Sequence, residues 1–477
     1  MEQLFERRPS ACTSILVGRY ATLDGSIMIG RNEDSKPSWP KHFVVHPHQV
    51  FDTPQPFQSN DNGFKATLPK IALRYTATPE WTPKFGLFEE DGINEANVAM
   101  SATESAYSNS TVLAADPFVT DGLNEEAMVT VVLPYITTAR QGVSRLGSLI
   151  EAAGTAETNG ILFADQQEAW YMETGAGHQW VAQRIPDDGY AVVANQLAIQ
   201  EVDFDDPDNF MTASGLAEFV KTNRLNPDQD GFNWRRIFGT HTVADEHYNT
   251  PRVWAGQRLF NPSTVQDPMN QELPFIRYPE HKLSVHDVQG FLSNHYEGTP
   301  YDPVGQDEQH KHDFRPISLA KTQEAHVLQL RSQKDQPNLV GIHWLAMGVA
   351  AQSSFVPFYS AVNDTPAAYQ QGQATYSPTS AYWTYKLAGI LWDAHYQHFN
   401  TLYQRVQTDL AAQLAAQLRA TDQIAIQQAS TDQLVFLTKS NERMAKQALT
   451  AYQSLIGQLV TESTDFSPLN FKTDEKL

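Results

Sequence analysis

A single cysteine, Cys12, opens the stretch of this chain with the clearest chemical potential, ACTSILVGRYATLDGSIMIGRNED, residues 11–34. A thiol attacks carbonyl carbon as the thiolate, and a neighbouring cation favours that form. Two short apolar runs lie between Cys12 and Arg31, separated by Asp24-Gly25, a pair that reverses chains. Folded as a hairpin, they would carry Arg31 and Asp34 back towards the thiol. Arg31 could then hold the thiolate or a substrate carbonyl, and Asp34 could anchor an α-amine. Each residue also has a plainer use. A lone Cys ahead of an apolar run is most often a small buried hydrophobe. Arg31 and Asp34 could form an ordinary surface ion pair, stabilising by about 0–1 kcal/mol.

What precedes Cys12 weighs against the plain use. The leader MEQLFERRPSA ends in small Ser10-Ala11 and runs into Cys-Thr and a strand, as a self-cleaving N-terminal nucleophile would require. The thiol would attack the Ala11 carbonyl and release residues 1–11. The freed α-amine, with a pKa around 7.7–8.0, would become the general base beside the sulfur. No histidine partner is then needed. Asn195, in Val-Val-Ala-Asn-Gln just past a strand-like run, could donate its amide to an oxyanion, although an Asn there commonly just forms a turn.

These residues need a sizeable scaffold. The chain has 477 residues, enough for two or three domains or for one large layered domain with an appendage. Its net charge of −21 disfavours nucleic acid and anionic membrane surfaces, which need clustered Lys and Arg. No run approaches the ~18 apolar residues of a membrane span, and the leader lacks the apolar core of a secretory signal, so a cytoplasmic location is expected. One cysteine precludes an internal disulfide.

Apolar, β-branched runs predict strands at 12–17, 26–30, 43–45, 86–88, 98–101, 161–164, 169–173, 180–184 and 190–194. Helical spacing appears at 124–138 and 140–154, with Pro134 marking a bend and Gly154 a C-cap. Residues 203–316 are rich in Asp, Asn, Pro, Gly and His and read as an insertion of loops and small helices, such as 215–221 and 285–294. Strand character returns at 327–331 and 341–347, leading into 355–359. From 382 to about 460 the chain reads as a helical hairpin, with Leu402, Val406, Leu410, Leu414 and Leu418 every fourth residue. Strands followed by helices, without βαβ alternation, indicate an α+β layered architecture.

Metal and nucleotide signatures are missing. His46/His48 and His310/His312 lack the helix or cysteine pairs of a zinc site, and the calcium-like run 226–231 has Ile237 where a bidentate acid belongs. There is no phosphate-binding glycine loop and no G-x-S-x-G elbow. No metal and no cofactor are expected.

Seven ordered blocks carry a family resemblance: CTSILVG from Cys12, DGSIMIGRNED from Asp24, GINEANVAMSATES from Gly92, ETG from Glu173, VANQ from Val193, HYEGTPYD from His295 and TQEAHVLQLR from Thr322. Over nearly its whole length the chain resembles the cysteine-nucleophile dipeptidases of lactic acid bacteria, within the N-terminal-nucleophile hydrolase superfamily. The resemblance implies a four-layer αββα sandwich, release of a short propeptide, no metal, and hydrolysis of dipeptides through a thioester acyl-enzyme. By similarity to the more distant penicillin and bile-salt acylases, Cys12 is the nucleophile, Arg31 and Asp34 are their R-x-x-D pair, and Asn195 is the oxyanion donor. Where those relatives place a second active-site Asn, this chain has Glu104, which would suit the ammonium of a dipeptide. Their late active-site Arg has no matching motif here, with Arg235 or Arg236 near its expected place, and Arg315 is a candidate for the substrate carboxylate because guanidinium binds carboxylate bidentately.

The expected organisation is a propeptide 1–11, a catalytic core 12–202, an insertion 203–316 closing the substrate pocket, a return to the core sheet 317–377, and a helical extension 378–477. A homo-oligomer is expected by family habit. The alternatives are an N-acyl amide hydrolase of the acylase type, or an assembly protein with Cys12 merely buried.

Overall fold

The structure is a computed structural model that describes residues 11–333 and 335–469, the side chains of Glu104, Ser430 and Thr431 excepted. Residues 1–10 of the expected leader lie outside the described residues. Mixed α and β structure is built around two large sheets. One has seven strands in the order Ile276–Arg277, Tyr190–Val193, Thr13–Val17, Ile27–Asp34, Thr322–Leu330, Gly341–Met347, Val356–Tyr359. The other has six, in the order Phe210–Thr212, Trp180–Ile185, Ala169–Thr174, Asn159–Ala164, Ala99–Ser105, Asp91–Ile93.

The opening hairpin forms as its sequence predicts. Thr13–Val17 pairs antiparallel with Ile27–Asp34, with Thr13 opposite Asn32 and Val17 opposite Met28. The reversal is longer than a two-residue turn and takes residues 18–26. Within it Asp24 Oδ1 accepts from the Ser26 amide (3.1 Å) and hydroxyl (2.6 Å), and Gly25 adopts φ +74°, where a side chain would be strained.

Both hairpin strands are buried on both faces. Leu16, Ile27 and Ile29 join the core shared with the six-stranded sheet, whereas Ile15, Val17 and Met28 join a second core on the opposite side. Alternation along a strand thus splits neighbouring residues between two interiors. Ile27–Asp34 lies against Ala99–Ser105, Asn159–Ala164 and Ala169–Thr174 of the other sheet. Helices Glu125–Val132 and Ala139–Ala153 pack on the six-stranded sheet, and helices Thr250–Phe260 and Val285–Leu292 on the seven-stranded one.

Several sequence expectations are corrected. Residues 86–88 form no strand; Gly86 and Phe88 both have positive φ, and Phe88 sits beneath the Lys41 ammonium. The helix expected over 124–138 is a shorter α-helix, Glu125–Val132, continued by a 3₁₀ turn, Leu133–Tyr135, that contains Pro134. Helix Ala139–Ala153 starts one residue early, capped by Thr138 and closed by Gly154. Residues 203–316 hold more helix than their polar composition suggests, namely Leu216–Thr222, Trp234–Phe238, Val243–Tyr248, Thr250–Phe260 and Val285–Leu292.

At the C-terminal end, Ala381–Ala394, Tyr396–Ala425 and Ser430–Ser463 are helical. Leu410, Leu414 and Leu418 are buried in the same core as Val356 and Phe358, so the long helices cover the edge of the seven-stranded sheet. Among the described residues no helix is long and apolar enough to cross a membrane.

Candidate active site

Cys12 is fully buried one residue before the first hairpin strand. Its Sγ donates to Glu33 Oε2 at 3.1 Å and accepts from Arg31 Nη1 at 3.0 Å. Hairpin register explains the meeting. Thr13 opposes Asn32, so the next pair outward sets Cys12 beside Glu33, while Arg31, two residues from Glu33, shares its face.

Arg31 is the hub of this face. Besides the thiol, it binds Glu33 (2.6 Å), Glu90 (2.8 Å) and Ser101 Oγ (2.9 Å), together with the carbonyls of Thr103, Ala102 and Glu90. Glu90 is shared with Lys41 Nζ at 2.5 Å. Burial disfavours charge on Arg31, but Cys12, Glu33, Glu90 and Glu324 outweigh it and hold the guanidinium well above its ordinary pKa. Burial together with repulsion from Glu33 pushes Glu90 upward, against Lys41 and Arg31. The network continues from Ser101 Oγ to His326 Nε2 at 2.9 Å, with His326 Nδ1 against Asp91 (2.9 Å) and Glu324 (3.0 Å). Despite burial, those two carboxylates raise the imidazole to about 9.

Two carboxylate-rich groups, Glu33/Glu90/Glu125 and Asp91/Glu324/His326, have donor types that hold metals. Protein cations stand beside each: Arg31 and Lys41 at the first, the His326 imidazolium at the second.

The other face of the hairpin carries a second set of arginines. Asp34 pairs with Arg315 and accepts from Thr322 Oγ1 (2.5 Å). Burial raises the Asp34 carboxyl above its ordinary value even though Arg315 and Thr322 oppose this. Arg315 Nη2 also donates to the Ala11 carbonyl at 2.9 Å, and Nη1 reaches Thr13 Oγ1 at 3.3 Å. Arg252, fully buried, donates to the Cys12 carbonyl, to Thr13 Oγ1 (2.8 Å) and to Asn195 Oδ1 (2.8 Å). Tyr248 lies under both guanidiniums.

Asn195 follows the strand Tyr190–Val193, whose Val193 opposes Ser14, and its Nδ2 donates to the Ser105 carbonyl at 2.8 Å. The chain beyond it is pinned by Glu173, which accepts from the amides of Ala198 (2.6 Å) and Ile199 (3.3 Å). Burial lifts Glu173 to about 8 against those bonds and Arg235.

The one cysteine is a buried thiol held between a guanidinium and a carboxylate at the head of a strand, the guanidinium being a neighbour of the kind that favours a thiolate. Residues 11–409 match the family model described as peptidase family C69. The chain belongs to that family.

The C69 match begins one residue before Cys12. The chain is 44% identical over 476 residues to a probable dipeptidase of Latilactobacillus sakei, covering 98% of both chains. It is 41% identical over 473 residues to probable dipeptidase B of Lactococcus lactis subsp. lactis, again covering 98% of both. With dipeptidase A of Lactobacillus helveticus it shares 37% over 475 residues, 97% of this chain and 99% of that one.

In this C69 peptidase, Cys12, Arg31, Asn195, Asp34 and Arg315 gather around the Ala11–Cys12 peptide. Arg31 and Asp34 are split: Arg31 reaches the thiol, while Asp34 faces the other side and meets Arg315. Arg236 is not brought in. It is half-exposed on helix Trp234–Phe238 and pairs with Asp228 at 3.1 Å, whereas its neighbour Arg235 is buried near Glu173. The Glu104 side chain lies outside the described residues; its backbone lies between Thr103, whose carbonyl binds Arg31, and Ser105, whose carbonyl binds Asn195. Glu33, Glu90 and Arg252 escaped the sequence analysis. Glu33 was within reach, since a two-residue period pairs it with Arg31; Arg252 lies 240 residues from Cys12 with no local motif.

Proposed function

We propose that this C69 peptidase is a cysteine-type dipeptidase whose nucleophile is Cys12, exposed as an N-terminal residue by loss of residues 1–11. The observation that carries this is the thiol held 3.0 Å from Arg31 and 3.1 Å from Glu33 in a buried site. The two facing sheets and the helices packed on them are read as the αββα sandwich of N-terminal-nucleophile hydrolases.

In turnover Cys12 Sγ attacks the dipeptide carbonyl, with Arg31 stabilising the thiolate. The freed α-amine takes the thiol proton and returns a proton to the leaving amine. Asn195 supports the oxyanion once its Nδ2 turns from the Ser105 carbonyl, and Arg252 fixes its Oδ1 so that the amide nitrogen is the end presented. Water then cleaves the thioester. Asp34 fixes Arg315 beside the Ala11–Cys12 junction, and Arg315 is assigned the substrate carboxylate. Glu104, flanked by two carbonyls of the site, is assigned the substrate ammonium.

The test is a substrate panel. Free dipeptides should be cleaved far faster than tripeptides, N-acyl dipeptides or N-acyl amides, and Glu104→Gln should lose activity on free dipeptides more than on N-acylated ones. Faster turnover of N-acyl amides by the wild-type chain would favour the acylase alternative.

A further inference from the structure

Before any leader is removed, Cys12 is joined to Ala11 through a peptide bond. In that state the Cys12 nitrogen is an amide and cannot accept a proton. The base used in turnover does not yet exist, and cleavage of the Ala11–Cys12 bond needs another.

The site supplies one. Glu33 Oε2 stands 3.1 Å from Sγ with the thiol donating to it, in a fully buried position where the carboxylate is also anchored by Arg31. The electrophile is held as well. The Ala11 amide donates to the Asp34 carbonyl at 2.9 Å, extending the hairpin ladder by one bond. Arg315 Nη2, on the opposite face from Glu33, donates to the Ala11 carbonyl oxygen at 2.9 Å and is itself fixed by the Asp34 carboxylate. The Cys12 carbonyl is held by Arg252, so the bond to be broken is clamped on both sides. The nucleophile is thus served from one face and the carbonyl oxygen from the other.

We infer that Glu33 and Arg315 release the leader, Glu33 by taking the Cys12 thiol proton and Arg315 by stabilising charge on the Ala11 carbonyl oxygen. This rests on the reading of Cys12 as an unmasked N-terminal nucleophile and assigns the unmasking to residues other than the turnover base. Sγ bonds to the Ala11 carbonyl carbon, and the electron pair of the C=O bond moves to the oxygen facing Arg315. The C–N bond then breaks, the proton held by Glu33 passes to the departing Cys12 nitrogen, and a thioester joins Ala11 to Sγ. Water hydrolyses the thioester, leaving a carboxylate on Ala11, a free thiol and a free α-amine. Arg315 thereby loses one of its partners at maturation and becomes available to substrate.

The experiment follows residues 1–11 by intact mass in freshly purified full chains: wild type, Glu33→Gln, Arg315→Gln and Cys12→Ala. The same substitutions are also placed in a shortened chain beginning Met-Cys12, whose Cys12 is exposed by cellular removal of the initiator Met. Wild type should lose residues 1–11 unaided, and Cys12→Ala should keep them. Glu33→Gln and Arg315→Gln should mature at least about 100-fold more slowly. The shortened Arg315→Gln chain should hydrolyse dipeptides at least about tenfold faster than its full-length counterpart, because its α-amine is already free. Melting of the uncleaved Arg315→Gln chain well above the assay temperature marks the delay as chemical and not a folding failure, even though loss of the Asp34 partner lowers its stability. Maturation of both variants at the wild-type rate would overturn this assignment while leaving Cys12 as nucleophile. A delayed Arg315→Gln chain that is already unfolded at the assay temperature, and whose shortened form is equally inactive, would also overturn it. A wild-type chain that is active with residues 1–11 attached would overturn both.

Discussion

The two faces of one hairpin have been given different work. On the face turned to the six-stranded sheet, Cys12, Arg31 and Glu33 form a dry, densely charged cluster continuing to Glu90, Lys41 and His326. On the face turned away, Arg315, itself fixed by Asp34, and Arg252 hold the carbonyls of Ala11 and Cys12 and the amide side chain of Asn195. The first face surrounds the sulfur with charged groups, and the second holds the chain on either side of it. Because side chains alternate, one short strand serves both without the groups competing. Damage to the first face should therefore appear mainly in the chemical step, and damage to the second in orientation.

Substitutions at Arg31 should separate the faces most strongly. Arg31→Gln leaves buried Glu33 without its cation and Glu90 with Lys41 alone, a loss on the order of 3–5 kcal/mol of stability. It also removes the thiolate's partner, so activity should fall by more than about 10³-fold even at temperatures where the variant remains folded. Urea unfolding and dipeptide kinetics check both; a folded, fully active Arg31→Gln chain would break the distinction between faces. Asn195→Ala should be less severe, lowering kcat by about 10²–10³-fold with a small change in melting temperature. A pure KM effect would move Asn195 from oxyanion support to substrate placement.

A pH effect should come next. His326 is raised from 6.5 to about 9 by Asp91 and Glu324 against burial, so its imidazolium is favoured in the folded state. Its contribution is fully present below about pH 6.5 and is lost as pH rises through about 9, on the order of 3 kcal/mol. Glu173, raised to about 8, loses stability in the same direction between its ordinary value and about pH 8. The difference between wild type and His326→Gln isolates the imidazole: it should shrink towards alkaline pH, and a pH-independent difference would remove His326 from the charged network. Smallest of all should be Arg236→Ala. A half-exposed pair with Asp228, away from either face, should change stability by no more than about 0.5 kcal/mol and leave kinetics unaltered.

How far the site was legible follows from the range over which each signal acts. The hairpin was visible because β-branched alternation and Asp24-Gly25 are local. The same alternation shows why the three-residue spacing of Arg31 and Asp34 misleads: in a strand it sends them to opposite faces, and the partner of Arg31 on the thiol's face is Glu33. Asn195 and Arg315 could be named from residue type, but their contacts with Arg252 and Ala11 depend on strand order. Arg252 was hidden because its helix lies in a stretch whose Asp, Asn and Pro content mimics loop. Glu90 was hidden because residues 86–88 resemble a strand yet turn through positive φ to deliver it. The C-terminal leucine periodicity gave the helices, while their seat on the sheet edge at Val356–Tyr359 is a tertiary fact that periodicity does not encode.

The most direct measurement uses the fact that Cys12 is the chain's only cysteine. The mature enzyme is treated with iodoacetamide, and intact mass and dipeptide hydrolysis are followed in parallel, with and without a saturating dipeptide. Activity should fall in proportion to a single label on an N-terminal Cys12, and the dipeptide should slow both together. A fully labelled enzyme that still hydrolyses dipeptides would contradict the assignment of Cys12 as nucleophile.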